Sequence, residues 1–185
     1  MSVIAIEFIT LDGFVSDPDG SDGTPAGGWA FRNGPETVAG DKFQLGSVLD
    51  EGVMLFGRKT WELFARIWPG RETPFAARLN AVPKLVASRT LTDTSAFPPS
   101  EIIGGDLIAA VKGERRDVIV TGSLSVVHAL QAKDLIDEYR LLTFPTILGT
   151  GERLFPAGHP PVYLECVSSG PAGPAVLSRY VRAAQ

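Results

Sequence analysis

The chain is short of the residues that build metal centres and disulfide frameworks: it has one cysteine, Cys166, and two histidines, His128 and His159. A single cysteine excludes an intramolecular disulfide and any multi-cysteine metal site, and two distant histidines offer no metal-ligand spacing. No metal is expected. The scarcity of cysteine agrees with a reducing compartment. No apolar run approaches the roughly 18 residues that a membrane span needs. The opening stretch Met1–Glu7 lacks a basic region and carries a carboxylate, so it does not read as a signal peptide, and a cytoplasmic location is expected. Positive charge is not in excess either: 17 Lys and Arg stand against 21 Asp and Glu. A net charge of -4 argues against non-specific nucleic-acid binding, so any anionic ligand has to be held by local donors.

What is present is an ordinary globular balance, 44% hydrophobic and 21% charged, without repeat, linker or low-complexity tract. The 185 residues fit one α/β domain, expected over 1–185. Val3 to Thr10 is an apolar β run that stops at the turn signal Leu11-Asp12-Gly13. Ser16 to Pro35, dense in Asp, Gly and Pro, reads as a long ordered loop, and loops of that length are usually functional. Spacing predicts a helix over Val38 to Leu49, with Val38, Phe43, Leu45, Val48 and Leu49 toward the core. Strands are predicted at Val53–Phe56, Lys84–Ser88, Val118–Thr121 and Glu138–Thr146. Helices are predicted from Gly57 to Ile67, from a Thr73-Pro74 start to Asn80, from Asp106 to Lys112, and from Ser123 to Lys133. Trp61, Phe64 and Trp68 share one face of the first of these and read as core. The tail, Val162–Ser169 and Ala175–Val181, reads as a closing hairpin. Strands alternating with helices before a terminal hairpin imply a mostly parallel sheet flanked by helices, with an antiparallel edge.

Two strand-turn-helix junctions combine glycine with polar groups. Gly57-Arg58-Lys59-Thr60-Trp61 permits a sharp turn, aims free helix amides outward and adds two cations, an arrangement suited to a phosphate. It reads equally as a capped helix with two solvated bases. At Thr121-Gly122-Ser123-Leu124-Ser125 the backbone can approach a pyrophosphate, although this is not the GxGxxG fingerprint and Ser123 could simply be an N-cap. Ser88-Arg89, at another strand end, could grip a terminal phosphate, because ligands of open α/β sheets bind at the carboxyl ends of strands. Ser123 lacks the G-x-S-x-G elbow of a hydrolase.

These blocks resemble known families. Gly57-Arg58-Lys59-Thr60-Trp61 is similar to the cofactor-phosphate turn of dihydrofolate reductases. Asp117-Val118-Ile119-Val120-Thr121-Gly122-Ser123, Asp134-Leu135-Ile136-Asp137-Glu138-Tyr139-Arg140-Leu141, Phe144-Pro145-Thr146-Ile147-Leu148-Gly149-Thr150-Gly151, Leu154-Phe155 and Thr10-Leu11-Asp12-Gly13 together resemble a stand-alone RibD C-terminal reductase domain, in family order. The resemblance implies a dihydrofolate-reductase-like fold, NADPH as hydride donor, the chemistry of the reductase of riboflavin biosynthesis and commonly a homodimer. It assigns Gly57, Arg58, Lys59 and Thr60 to the cofactor phosphates and Ser88 and Arg89 to the adenosine end. Thr121, Gly122, Ser123 and Leu124 fall against the pyrophosphate, and Leu11, Gly13 and Phe14 beside the nicotinamide. Pro145, Leu148 and Gly149 would border the substrate. The chain departs from the family where a glutamate and two glycines stand in place of Thr121-Gly122-Ser123. It also shows no H-x-E with P-C-x-x-C for a zinc deaminase.

Reduction of a C=N or C=O group needs a proton as well as a hydride. Asp41, sixteen positions before Gly57, has the spacing of the substrate carboxylate in many dihydrofolate reductases. A helix N-terminus would explain it equally well. Asp12, at the first strand end, is the other candidate, although Asp-Gly is also a favoured turn pair. Glu7, inside an apolar strand, is expected to be paired, exposed or facing a cleft, and the cleft reading makes it substrate-binding. Trp29 and Phe31, in the long loop, are expected to cover a bound ring. A ligand-binding protein of the same fold without turnover, a dihydrofolate reductase, and a flavin in place of NADPH remain open at this point.

Overall fold

A computed structural model of the chain describes residues 1–158 and 160–183, so His159 lies outside the described residues. Eight strands pair in the order β4-β3-β2-β5-β1-β6-β8-β7. Their chain contacts separate into two compact units, each built from two stretches of sequence: Met1–Ala5 with Leu45–Asp137, and Ile6–Gln44 with Glu138–Gln185. Strand β1, Val3–Thr10, contributes to both.

The first unit is a parallel sheet. Strand β2 (Val53–Gly57) is buried along its whole length, as its unbroken apolar sequence requires of a strand covered on both faces. It pairs in parallel with β3 (Lys84–Ala87) on one side and β5 (Val118–Val120) on the other. Strand β5 in turn pairs with the start of β1, Val3 opposite Val118 and Ala5 opposite Val120. Helix α2 (Arg58–Ile67) lays Trp61 and Phe64 inward; Phe64 meets Phe56 at 5.1 Å and Trp68 at 5.9 Å, so the predicted apolar face is the packed one. Helix α3 (Pro74–Ala81) starts where predicted, with the Thr73 hydroxyl accepting from the Ala76 amide and proline in the first turn. Helix α4 (Leu107–Gly113) is capped by Asp106, which accepts from the Ile108 and Ala109 amides. Helix α5 (Leu124–Gln131) follows β5.

Two expectations change. The helix predicted over Val38–Leu49 is only α1, Ser47–Glu51, because Gly40, Gln44 and Gly46 take left-handed φ values of 76°, 51° and 53° that break any continuous helix. Ser100–Ile103, which carries no strand signal beyond two isoleucines, forms the edge strand β4 against β3.

The second unit joins the end of β1 to β6 (Glu138–Phe144) and the hairpin β7 (Leu164–Ala172) and β8 (Ala175–Arg182), all antiparallel from β6 onward. Its core is aromatic. Phe8 stacks on Phe43 at 5.4 Å and meets Phe144 edge-on at 5.6 Å, and Trp29 meets Phe144 at 5.4 Å. Leu142, Ala175 and Leu177 complete the cluster. Arg140, almost wholly buried, donates to the carbonyls of Phe43 and Gln44 and to Glu138, which also accepts from Arg179 at 2.9 Å. Burial pushes the Glu138 carboxyl up, but the Arg179 and Arg140 guanidiniums outweigh it and hold it below the usual carboxylate range.

Candidate functional site

In the first unit the two glycine junctions are knitted together. The Gly57 amide donates to the Gly122 carbonyl at 3.0 Å, and the Thr60 and Ser123 hydroxyls lie 3.2 Å apart. A Cβ on Gly57 would stand 2.5 Å from Ser123 Oγ, 2.9 Å from its Cβ and 3.1 Å from its backbone nitrogen, so only glycine permits this approach. Gly122 has φ +98°, and a Cβ there would meet Thr60 Oγ1 at 3.1 Å. The Gly122-Ser123 peptide is cis.

Both helices that leave these junctions start without a side-chain cap. Gly57 has no side chain to offer α2, and the Ser123 hydroxyl makes no cap bond to α5. The N-cap reading of Ser123 is thereby corrected: its oxygen is turned to Thr60, across the junction, and not to its own helix. Helices α3 and α4 of the same unit are capped by Thr73 and Asp106. First-turn amides without internal acceptors, backed by the helix dipole, favour an anion. Around them, Arg58 is exposed and pairs with Glu62 one turn on at 3.2 Å, while Lys59 is exposed and Thr60 half-buried. Beside β2, Ala87 sits in register with Gly57, so Ser88 and Arg89 leave the sheet at the same end of the parallel strands as Arg58. The Ser88 hydroxyl accepts from the Thr90 and Leu91 amides at 3.2 and 2.9 Å, closing a turn that leaves Arg89 exposed. Gly57, Arg58, Lys59, Thr60, Ser88, Arg89, Thr121, Gly122, Ser123 and Leu124 thus all lie at the carboxyl ends of strands of one unit.

The second unit orders a different set. Asp12 accepts the Thr10 hydroxyl at 2.7 Å and the Leu148 and Gly149 amides at 3.1 and 2.8 Å, tying the segment after β6 to the end of β1. The Thr10 hydroxyl, with those amides, holds its carboxyl below the usual range, so Asp12 is a poor proton source and a good latch. Leu11 is largely exposed, whereas Phe14 is buried beneath the Arg153 guanidinium at 4.4 Å. Arg153 also donates to the Asp12 carbonyl at 2.8 Å. Pro145 and Gly149 are exposed, and Leu148 packs against the aromatic cluster. Trp29 is a correction: at 2% exposure, with its indole donating to the Ser16 carbonyl, it is a core residue and not a cover for a ligand. Phe31, 39% exposed, keeps that possibility. Asp41 sits in a turn before α1, its carbonyl accepting from the Gln44 amide, so no helix starts on it. Glu7 is half-buried, with Oε1 sealed and without a hydrogen-bond partner, and burial pushes its carboxyl up to about 8.

Asp17 escaped sequence reasoning. It accepts from the Asp22 and Thr24 amides and the Thr24 hydroxyl, and its carbonyl accepts from the Gly20 and Gly28 amides, so it folds the long loop around itself. Burial pushes its carboxyl up, but these donors outweigh it and hold it low. The Asp-Pro-Asp-Gly run was a turn signal; nothing in it singled out Asp17. Among the described residues no group of three or more His, Cys, Asp or Glu could hold a metal, and no helix is long and apolar enough to cross a membrane.

The model of the RibD C-terminal domain matches residues 106–178, which bears out the resemblance seen in the sequence. The chain is 25% identical over 154 residues to the uncharacterized protein YyaP of Bacillus subtilis (strain 168), covering 80% of this chain and 76% of that one. A crystal structure of a candidate riboflavin biosynthesis protein from Shewanella sp. PV-4 superposes with a TM-score of 0.74 at 19% identity, over 100% of both chains. Dihydrofolate reductase from Enterococcus faecalis, complexed with NADP(H) and RAB-propyl, gives a TM-score of 0.61 at 14% identity, over 98% of this chain and 96% of that one. The fold is dihydrofolate-reductase-like.

Proposed function

We propose that the chain is an NADPH-dependent reductase of a small heterocyclic or carbonyl substrate, of the kind represented by the uracil reductase of riboflavin biosynthesis. One observation carries the reading: two uncapped helix N-termini are locked side by side by glycine contacts, with Arg58 and Lys59 on one of them and Arg89 at the end of the neighbouring strand. This donor set fits a dinucleotide. The amides that open α2 and α5 would hold the pyrophosphate, with Thr60 and Ser123 beside them. Arg89 and Ser88 would meet the adenosine 2'-phosphate, the feature that separates NADPH from NADH. The complex of Enterococcus faecalis dihydrofolate reductase with NADP(H) supports the choice of cofactor. When bound, NADPH supplies a hydride. In the second unit, the Asp12 latch would orient Leu11, Gly13, Leu148 and Gly149, the residues that the resemblance assigns to the reacting end. A cytoplasmic homodimer is part of the same proposal.

Titration of the purified protein with NADPH and NADH tests it. NADPH should bind more tightly than NADH, Arg58→Ala should weaken both, and Arg89→Ala should weaken NADPH alone. A charge-assisted hydrogen bond is worth about 1.5–3 kcal/mol, so each loss should be of order tenfold to a hundredfold. Failure of either nucleotide to bind would overturn the reading. Binding without oxidation by any heterocyclic or carbonyl substrate would favour a ligand-binding protein.

A further inference from the structure

Glu7 is the one acid among the described residues with a buried side-chain oxygen that meets no donor. The other sequestered carboxylates of its unit are engaged: Asp12 by Thr10, Leu148 and Gly149, Asp17 by Asp22 and Thr24, and Glu138 by Arg140 and Arg179. Strand alternation sets Glu7 opposite to Phe8, whose ring packs on Phe43 and Phe144. On β6, which neighbours β1, Leu142 and Phe144 share the aromatic side, so Tyr139, Leu141 and Thr143 line the side of Glu7. That face of β1 and β6 within the unit carries no cation. Its one other titratable group is Tyr139, buried and packed edge-on against Phe155 at 5.5 Å. Valine or leucine at position 7 would continue the apolar run of β1 at no desolvation cost, whereas a half-buried carboxyl with one sealed and unpaired oxygen is costly to ionise. A strand that keeps such a group without partnering it marks a place where a ligand completes the hydrogen bond.

We propose that Glu7 is the proton donor of the reduction, an inference that rests on the reductase reading. As a hydride adds to the carbon of a C=O or C=N group, the π pair moves to the heteroatom. There the Glu7 O–H bond breaks and the new O–H or N–H bond forms. Glu7 is left as a carboxylate and is reprotonated from solvent, and the nucleotide leaves as NADP+. The neighbouring Asp12 cannot fill this role, because its oxygens are already occupied by donors. An acid in an apolar wall, by contrast, keeps its proton to neutral pH and above.

The first test needs neither cofactor nor substrate. The apo protein is treated at pH 7 with a small diazoacetamide, which esterifies protonated carboxyls, and mapped by mass spectrometry. In parallel, the carboxyl stretch of Glu7 is followed by infrared difference against Glu7→Gln. Glu7 should be esterified ahead of the surface acids, and its protonated band should disappear only as pH rises through about 8. A Glu7 already ionised at pH 7 would overturn the proposal. So would a protonated Glu7 that the reagent never reaches, since that is a structural acid only. Because the assay omits NADPH, its failure leaves the cofactor reading standing, and failure of the NADPH titration leaves the Glu7 result standing. With a reducible carbonyl or imine substrate in hand, Glu7→Gln should lower kcat about 10²–10⁴-fold with KM little changed and remove the alkaline limb of the pH profile. Glu7→Asp should restore part of the rate. An unchanged rate and limb in Glu7→Gln would also overturn the assignment.

Discussion

At the scale of single residues, what separates the acids of this chain is what their oxygens meet. Asp12 and Asp17 are surrounded by amides and hydroxyls, and Glu138 by two guanidiniums, and all three stay ionised. Glu7 meets none of these, and burial raises its carboxyl to about 8 from an ordinary 4.5. Between those values the folded chain holds a proton that the unfolded chain has released. The stability contributed at position 7 is therefore fully present below about pH 4.5 and is lost as pH rises through the folded value near 8. Glu7→Gln, which cannot ionise, should lack this slope. Urea unfolding at pH 5 and pH 8 should show the variant gaining on the parent by about 2–4 kcal/mol across the interval. Parallel curves would mean that Glu7 titrates normally.

At the scale of elements, the junctions β2–α2 and β5–α5 matter as a pair. Each alone is an ordinary turn into a helix. Adjacent strands bring them into contact, and the contact turns the Ser123 hydroxyl away from its helix and leaves both N-termini open. Gly57→Ala puts a Cβ against the backbone nitrogen and side chain of Ser123, so one junction must move. The expected result is a loss of about 1–3 kcal/mol in stability, as for other overpacked sites, with NADPH affinity falling at least about tenfold. Thermal unfolding and nucleotide titration of the variant check both. Wild-type affinity in a protein of lowered stability would show that the junction does not touch the cofactor.

At the scale of the whole molecule, each compact unit is assembled from two stretches far apart in sequence, and β1 feeds both. Long-range groups therefore carry much of the cohesion. In the second unit Arg140 reaches the Phe43 and Gln44 carbonyls, 97 and 96 positions away, with the half-buried Glu138 as its counter-charge. Glu138→Ala leaves Arg140 almost fully buried without that partner, and the expected destabilisation is about 3–5 kcal/mol in urea unfolding. Amide exchange should rise first in the β6–β8 pairing and around residues 43–44. A loss below about 1 kcal/mol would mean that the carbonyls alone suffice to hold Arg140.

Elements whose cause is local can be read from the residues that form them. The Thr73 and Asp106 caps, the apolar β1 and β2, the face of α2 and the closing hairpin all follow from residues within a few positions of one another, and they lie where periodicity and capping put them. The glycine junctions and the family resemblance were legible for the same reason. The rest depends on contacts between residues far apart in the chain. Trp29 became core, not cover, because Phe144, 115 positions later, stands beside it. Asp12 became a latch because Leu148 and Gly149, 136 and 137 positions away, present their amides to it. The predicted helix at Val38–Leu49 shrank to five residues because left-handed backbone at Gly40, Gln44 and Gly46 serves a chain path that no local spacing specifies. Glu7 stands out in the sequence as a carboxylate inside an apolar strand. That it has no partner is a statement about everything around it, and only the packed chain could make it.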